Sequence, residues 1–173
     1  MKIINKILHF ILLIIALVIQ VAFFEHLEMY YISFDLVLVA IVAITLLDGA
    51  FYGIIFGFIA GLILDLMVGD LVGISALIYA LDAFIVWRLV EAGFRNKLTS
   101  QVFLVFLVTE TSLIAANLIR YLFNFQINLP GLGLELLTAP VFNILLILIF
   151  YPAIKIGINR GLEEFEFRHK NKA

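Results

Sequence analysis

Apolar and polar residues alternate in long blocks along this chain, not at every second position. Six stretches are almost entirely apolar, and short polar segments separate them. These stretches are residues 6–24, 33–48, 51–68, 73–90, 101–123 and 136–157. A helix that crosses a membrane needs about 20 apolar residues, and the regular alternation of membrane β-barrel strands is missing here. The pattern therefore predicts an all-α integral membrane protein with about six transmembrane helices.

The composition of the chain agrees with a membrane protein. Of its 173 residues, 65% are hydrophobic, which leaves too little polar surface to cover a water-soluble globule. All polar interruptions are short, so we expect one membrane domain over residues 1–173. The first stretch begins among lysines but has no small-residue cleavage site after it, which favours a retained helix over a signal peptide.

The sequence lacks the patterns on which catalysis, metal binding or cofactor binding usually depends. It has no cysteine, which excludes disulfides, thiolate metal sites and cysteine nucleophiles. No HExxH, Walker or dinucleotide motif occurs, and none of the three histidines lies in the middle of a span. We therefore expect no enzymatic activity, no metal and no cofactor.

The basic residues predict the orientation of the chain. With six helices and a cytoplasmic N-terminus, ten of the eleven Lys and Arg residues lie on the cytoplasmic side, where such residues are retained. These ten are Lys2, Lys6, Arg88, Arg95, Lys97, Lys155, Arg160, Arg168, Lys170 and Lys172. The exception is Arg120, near the outer end of the fifth span. We expect both termini to be cytoplasmic.

Several polar residues interrupt the apolar stretches at depths that can be compared. Asp65 and Arg120 each lie about one turn from the outer end of a span, so we expect them to form an ion pair. Asp82 and Glu110 both lie near the middle of a span, where charge is costly unless it is paired or protonated. Asn117 shares a helix face with Glu110. These side chains either order the helices or serve transport or catalysis, and both roles stay open.

A glycine or aspartate recurs at every fourth residue across the third span and the loop after it. The set is Gly53, Gly57, Gly61, Asp65, Gly69 and Gly73. Glycines at this spacing lie along one side of a helix, where the backbone of another helix can approach closely. We predict that Gly57, Gly61 and Asp65 form the interface with a partner helix. Packing within the same chain is the alternative.

Residues 34–88 resemble the family of the rod shape-determining protein MreD. The shared pattern is an Asp-Leu start to the second span, a glycine-rich third span ending in Gly-Leu-x-x-Asp, spaced glycines, and an Ala-Leu-x-Tyr-Ala-Leu run. The matching residues are Asp35, Leu36, Gly53, Gly57, Gly61, Leu62, Asp65, Gly69, Gly73, Ala76, Leu77, Tyr79, Ala80 and Leu81. Phe34 stands where the family often has proline. Asp82 and Ala83 stand where a small or glycine-containing pair is usual, so the resemblance does not explain Asp82.

The resemblance implies a non-enzymatic scaffold of the bacterial cell-wall elongation machinery in the inner (cytoplasmic) membrane. The implied partners are the bitopic protein MreC, the glycan polymerase RodA, a class B penicillin-binding transpeptidase and the actin-like MreB filament. It also implies an architecture similar to the substrate-binding subunits of energy-coupling-factor vitamin transporters, so such a subunit is the alternative function. The first span of those subunits usually carries an Ala-x-x-x-Ala docking surface, whereas here Ala16 is followed four residues later by Gln20.

Overall fold

Six α-helices make up nearly all of the described structure. The computed structural model describes residues 2–28, 33–68, 71–94, 98–126 and 128–170, with side chains over 6–22, 33–68, 71–94, 99–126 and 128–152. The helices are α1 (Lys2–Glu28), α2 (Leu36–Asp48), α3 (Ala50–Val68), α4 (Ile74–Glu91), α5 (Leu98–Leu122) and α6 (Leu129–Lys170). The structure thus confirms the predicted all-helical class.

Three segments of the described chain are long and apolar enough to cross a membrane. They are Ala50–Val68, Thr99–Leu122 and Leu129–Pro152, while Lys6–Ala22 and Leu36–Asp48 are shorter apolar helices. α4 is 18 residues long but carries three charged residues, Asp82, Arg88 and Glu91. These helices are consistent with a multi-pass membrane protein, and the count of six spans stays a prediction.

α2 lies at the centre of the bundle. Its sequence, LVLVAIVAITLLD, is apolar on every side, and all residues from Leu36 to Leu46 are buried. The hydroxyl of Thr45, the polar side chain within this buried run, donates a hydrogen bond to the Ile41 carbonyl oxygen at 2.7 Å. A helix that is apolar all round is buried among other elements, and α2 contacts each of the other five helices.

Particular residues at the two ends of α2 determine where the helix begins and ends. At the start, the carboxylate of Asp35 caps the helix by accepting a hydrogen bond from the Leu38 amide at 2.8 Å. At the end, Gly49 alone connects α2 to α3, with φ at +89°. Residues with a side chain rarely adopt this φ, so the single-residue connection depends on glycine.

The last helix begins earlier than the hydropathy pattern predicts. Hydropathy places the sixth span at residues 136–157, but α6 already starts at Leu129. Asn128 caps it, because its side-chain oxygen accepts from the Gly131 amide at 3.2 Å. Pro130 and the two nearby glycines argue against a helix when the sequence is considered alone. Proline is nevertheless compatible with the first turn of a helix, because the N–H that it lacks would have no partner within the helix there.

The end of α5 is closed by a left-handed residue. The Phe125 amide donates to the Arg120 carbonyl oxygen at 3.0 Å, and the Asn124 amide donates to the Tyr121 carbonyl oxygen at 3.0 Å. Asn124 has φ at +62°, a conformation that asparagine tolerates better than most residues. This arrangement is a Schellman motif, and it satisfies two of the free carbonyl groups at the helix end.

Candidate functional site

The carboxylate of Asp65 binds the N-terminus of α4. Its Oδ2 atom accepts hydrogen bonds from the amides of Gly73 at 2.8 Å, Ser75 at 3.0 Å and Ala76 at 3.3 Å. The first residues of a helix have amide groups without partners in the helix, and their partial positive charge favours a carboxylate. Gly73, which precedes α4 with φ at +103°, has no side chain to supply this cap. Asp65, at the end of the preceding helix, supplies it instead.

The glycines of α3 bring its backbone against that of α4. A Cβ atom added to Gly61 would lie 2.5 Å from both the Cα and the backbone nitrogen of Ala76. At Gly57, it would lie 2.9 Å from the Tyr79 carbonyl oxygen. At Gly53, the added atom would overlap the Thr45 side chain of α2. The contacts of these glycines with α4 and with α2 are all within the chain.

The prediction that Gly57, Gly61 and Asp65 receive a partner helix therefore needs correction. All three residues are buried in the single chain, and α4 already occupies the side of α3 that they form. The spacing correctly indicated a close backbone approach. The helix that approaches is the next one in the sequence, which the alternative interpretation expected. Gly69, which continued the pattern, lies outside the described residues.

The predicted ion pair between Asp65 and Arg120 is also absent. Both side chains are described, and Asp65 is turned towards α4 while Arg120 is exposed near the end of α5. Equal depth is not sufficient for contact, because α5 packs mainly against α4 and α6. Among the described residues, the ion pairs are His9 with Asp48 and Arg88 with Glu91.

The acidic residues predicted near the middle of the membrane have different surroundings. Asp82 is buried, and its Oδ2 atom accepts a hydrogen bond from the Ser112 hydroxyl at 2.6 Å. Asp82 thus connects α4 to α5. Glu110 is only partly buried and has no hydrogen-bond or ion-pair partner among the described residues. The Asn117 side chain donates to the carbonyl oxygen of Leu113 in its own helix at 2.9 Å.

A polar network that the sequence-based prediction missed surrounds the start of α2. The Tyr79 hydroxyl donates to the Asp35 carboxylate at 2.7 Å, and the Asp35 amide donates to the Asn143 side chain at 2.7 Å. Asn143 in turn donates to the Thr109 hydroxyl at 3.1 Å. The side-chain oxygen of Gln20 accepts from the Val37 amide at 3.0 Å. These bonds join side chains of α1, α4, α5 and α6 to one end of α2.

The signal for this network was present as isolated amides in apolar stretches. An asparagine or glutamine side chain inside a membrane helix is costly unless another helix supplies a partner. Asn143 and Gln20 both meet this description and are both buried. Their partners could not be named, because depth along the membrane normal does not give the order of helices around the bundle.

A second polar contact lies at the opposite end of α2. The His9 Nδ1 atom and the Asp48 Oδ2 atom are 2.5 Å apart, and His9 is buried. The Lys6 ammonium group donates a hydrogen bond to the hydroxyl of Tyr52, which lies in the first turn of α3. α1 is thereby tied to the C-terminal end of α2 and the N-terminal end of α3. No group of three potential metal ligands occurs among the described residues.

These features define an all-helical membrane protein whose interior polar side chains hold its own helices together. The family model of the rod shape-determining protein MreD matches residues 1–157, and the chain belongs to this family. The match confirms the resemblance found in residues 34–88 and extends it over most of the chain. Membership implies a role in rod shape determination, and the family is generally one of non-catalytic membrane proteins. Searches of curated proteins and of solved structures gave no significant match.

Proposed function

We propose that this protein is a non-enzymatic scaffold for cell-wall elongation in the bacterial cytoplasmic membrane. Its partners are an MreC-like bitopic protein, a RodA-like glycan polymerase and the class B transpeptidase that acts with it, with the MreB filament as a further partner. Family membership supports a role in rod shape. The observation that carries the scaffold proposal is the use of interior polar groups to join helices.

Most interior polar groups have acceptors or donors from the chain itself. Among the described residues, the buried side-chain atoms without a partner are His9 Nε2 and Gln101 Oε1. Asp35 is bound by Tyr79 and by the start of α2, and Asp65 is bound by the start of α4. Asp82 is bound by Ser112. A site for a small polar substrate needs convergent polar groups that are free to bind it. The arrangement here favours a rigid body that presents its outer faces to other membrane proteins.

The alternative function, a substrate-binding subunit of a vitamin transporter, receives less support. In such a subunit, the first span would present small residues to the coupling subunit. Here Ala16 and Gln20 are both buried within the chain, and Gln20 is engaged by the Val37 amide of α2. This side of α1 is therefore unavailable to a second protein.

We further propose that both termini face the cytoplasm. The distribution of basic residues supports this orientation, with ten of the eleven on one side. A reporter that is active only in the periplasm, fused to Ala173, should give no signal. The same reporter fused after Glu28 should be active. The reverse pair of results would contradict this topology.

Co-purification tests the scaffold proposal directly. The full chain should be expressed with the bitopic protein, the polymerase and the transpeptidase, then recovered in mild detergent. An equal amount of a transporter ATPase module should be included as the competing partner. Recovery of the wall-synthesis proteins without the ATPase module is the expected result. Recovery of the ATPase module alone would favour the transport subunit.

A further inference from the structure

Glu110 lies at the middle of a helix that is long enough to cross the membrane. The apolar segment runs from Thr99 to Leu122, 24 residues, and Glu110 is 11 positions after its first residue and 12 positions before its last. At about 1.5 Å per residue, the carboxylate is roughly 17 Å from both ends of the helix. This position places an acidic side chain in the part of the bilayer where it is least tolerated.

Glu110 is on the side of α5 that faces away from the bundle. The buried side of α5 is formed by Gln101, Leu104, Val105, Val108 and Thr109, with Ser112 in contact with α4. At about 100° per residue, Glu110 lies roughly opposite to the centre of that buried side.

Large apolar side chains surround Glu110 on its own side. Phe103 and Phe106 precede it and Ile114, Leu118 and Tyr121 follow it, all between 44% and 65% exposed. We call these five residues together with Glu110 the α5 outer face.

The other polar side chains around the middle of α5 are already engaged. Thr109 accepts from Asn143 of α6, and Ser112 donates to Asp82 of α4. Thr111 and Asn117 donate to carbonyl groups of α5 itself. Within the described part of the chain, Glu110 stands apart from them because it has neither a hydrogen-bond nor an ion-pair partner.

We propose that the α5 outer face binds a transmembrane helix of another protein, which donates a hydrogen bond or a positive charge to Glu110. Acidic residues within spans face a bundle interior or pair with another group, because hydrocarbon supplies neither water nor a counter-charge. The exposed aromatic and aliphatic side chains then pack against the same helix. This inference rests on the proposed scaffold function and identifies the surface through which it acts.

The partner helix belongs to a different protein and not to a second copy of this chain. The basic residues whose side chains are described are Lys6, Arg88 and Arg120. Lys6 is the fifth residue of α1, and Arg88 and Arg120 lie in the last turns of α4 and α5. None reaches the mid-membrane depth of Glu110, and the hydroxyl hydrogens of the nearest neutral donors, Thr111 and Ser112, are already donated within the chain. The partner is thus a span with a Lys, Arg, Asn, Gln, Ser or Thr near its centre.

A pair of substitutions separates a docking role for Glu110 from a role inside the chain. Glu110→Leu should leave thermal stability in detergent unchanged or higher, because it removes an acid that has no internal partner. The same variant should recover at least tenfold less of the wall-synthesis partner in co-purification. Glu110→Gln, which keeps an acceptor oxygen, should recover more partner than Glu110→Leu. Leu81→Ala, at a 50% exposed position on α4, is the control and should bind normally.

Site-specific photo-crosslinking identifies what covers this surface. A photoreactive residue at Ile114 should crosslink to a spanning segment of a wall-synthesis protein, whereas one at Leu81 should not. Crosslinks only to lipid or between two copies of this chain would overturn the proposal. So would normal partner recovery by Glu110→Leu, or a loss of its thermal stability. If the unsubstituted chain recovers no wall-synthesis protein, the scaffold function itself fails, and the docking surface fails with it.

Discussion

An acidic residue has opposite surroundings in two regions of the molecule. One region is the contact between α3 and α4, and the other is the α5 outer face. Asp65 is 3% exposed, and backbone amides of α4 surround its carboxylate. Glu110 is partly exposed on a side of α5 that no other described helix covers, and it has no partner there. In the first region glycines allow two backbones to meet, while in the second, large side chains stand free.

The difference shows how to separate structural acids from acids that serve assembly in a membrane helix. A buried acid with donors from its own chain stabilises the fold, and its removal should lower stability. An acidic residue in lipid that has no such donors does not stabilise the isolated chain. Both are charged residues within apolar stretches of the sequence, so only their contacts distinguish them.

The largest effect is expected at Gly61. Gly61→Ala places a methyl group 2.5 Å from the α4 backbone, which cannot move aside as a flexible side chain would. We expect a loss of about 3 kcal/mol or more and little folded protein in mild detergent, as monitored by size-exclusion chromatography. Gly133→Ala is the matched control, since an added methyl meets no atom within 4 Å there. A Gly61→Ala protein as stable as the control would contradict the α3–α4 contact.

Removal of the Asp65 carboxylate should have the next largest effect. Asp65→Ala leaves the amides at the start of α4 without acceptors, at a cost of about 2 kcal/mol in thermal unfolding. Asp65→Asn keeps one acceptor oxygen and should lose less. Arg120→Gln should leave stability almost unchanged, because Arg120 is exposed and not paired with Asp65. If Arg120→Gln were as destabilising as Asp65→Ala, the ion pair predicted from equal depth would be restored.

A smaller effect is expected at the N-terminal end of α2. Tyr79→Phe removes the hydroxyl that donates to Asp35 and keeps the ring, so about 1 kcal/mol should be lost. Tyr121→Phe is the control, because Tyr121 is 65% exposed on the α5 outer face. Equal melting temperatures for the two variants would show that the network around Asp35 adds no stability.

The smallest effect is a gain at the end of α5. Asn124→Gly should raise stability by about 0.5 kcal/mol, since glycine adopts the positive φ of this position without a steric cost. The melting temperature should rise by about 1–2 °C. A decrease would mean that the Asn124 side chain makes a favourable contact that outweighs its backbone cost.

The sequence predicted the helices well because their signal is local. Blocks of apolar residues gave the order of all six helices, and glycine spacing together with Asp65 located a close backbone contact. The start of α6 was missed because Pro130 resembles a helix breaker, although it is compatible with a first turn.

Partner identity was less predictable because it depends on the arrangement of helices around the bundle. Asp65 and Arg120 share a depth, yet the first points to α4 and the second is exposed. Asp82 and Glu110 also share a depth, but Asp82 contacts the buried side of α5 through Ser112, whereas Glu110 is on the opposite side of α5. A single sequence gives positions along each helix and the helix faces, and it does not state which faces meet.

The short central helix also constrains how the protein is made. At 13 residues, α2 is about 20 Å long, well short of the hydrocarbon thickness of about 30 Å, and an aspartate stands at each end. Its partner Asn143 is synthesised 108 residues after Asp35. During translation, before α6 has been synthesised, α2 is therefore not stable in the lipid by itself. We expect the insertion machinery to shelter it until α6 emerges, so that chains truncated before α6 become targets of membrane quality-control proteases.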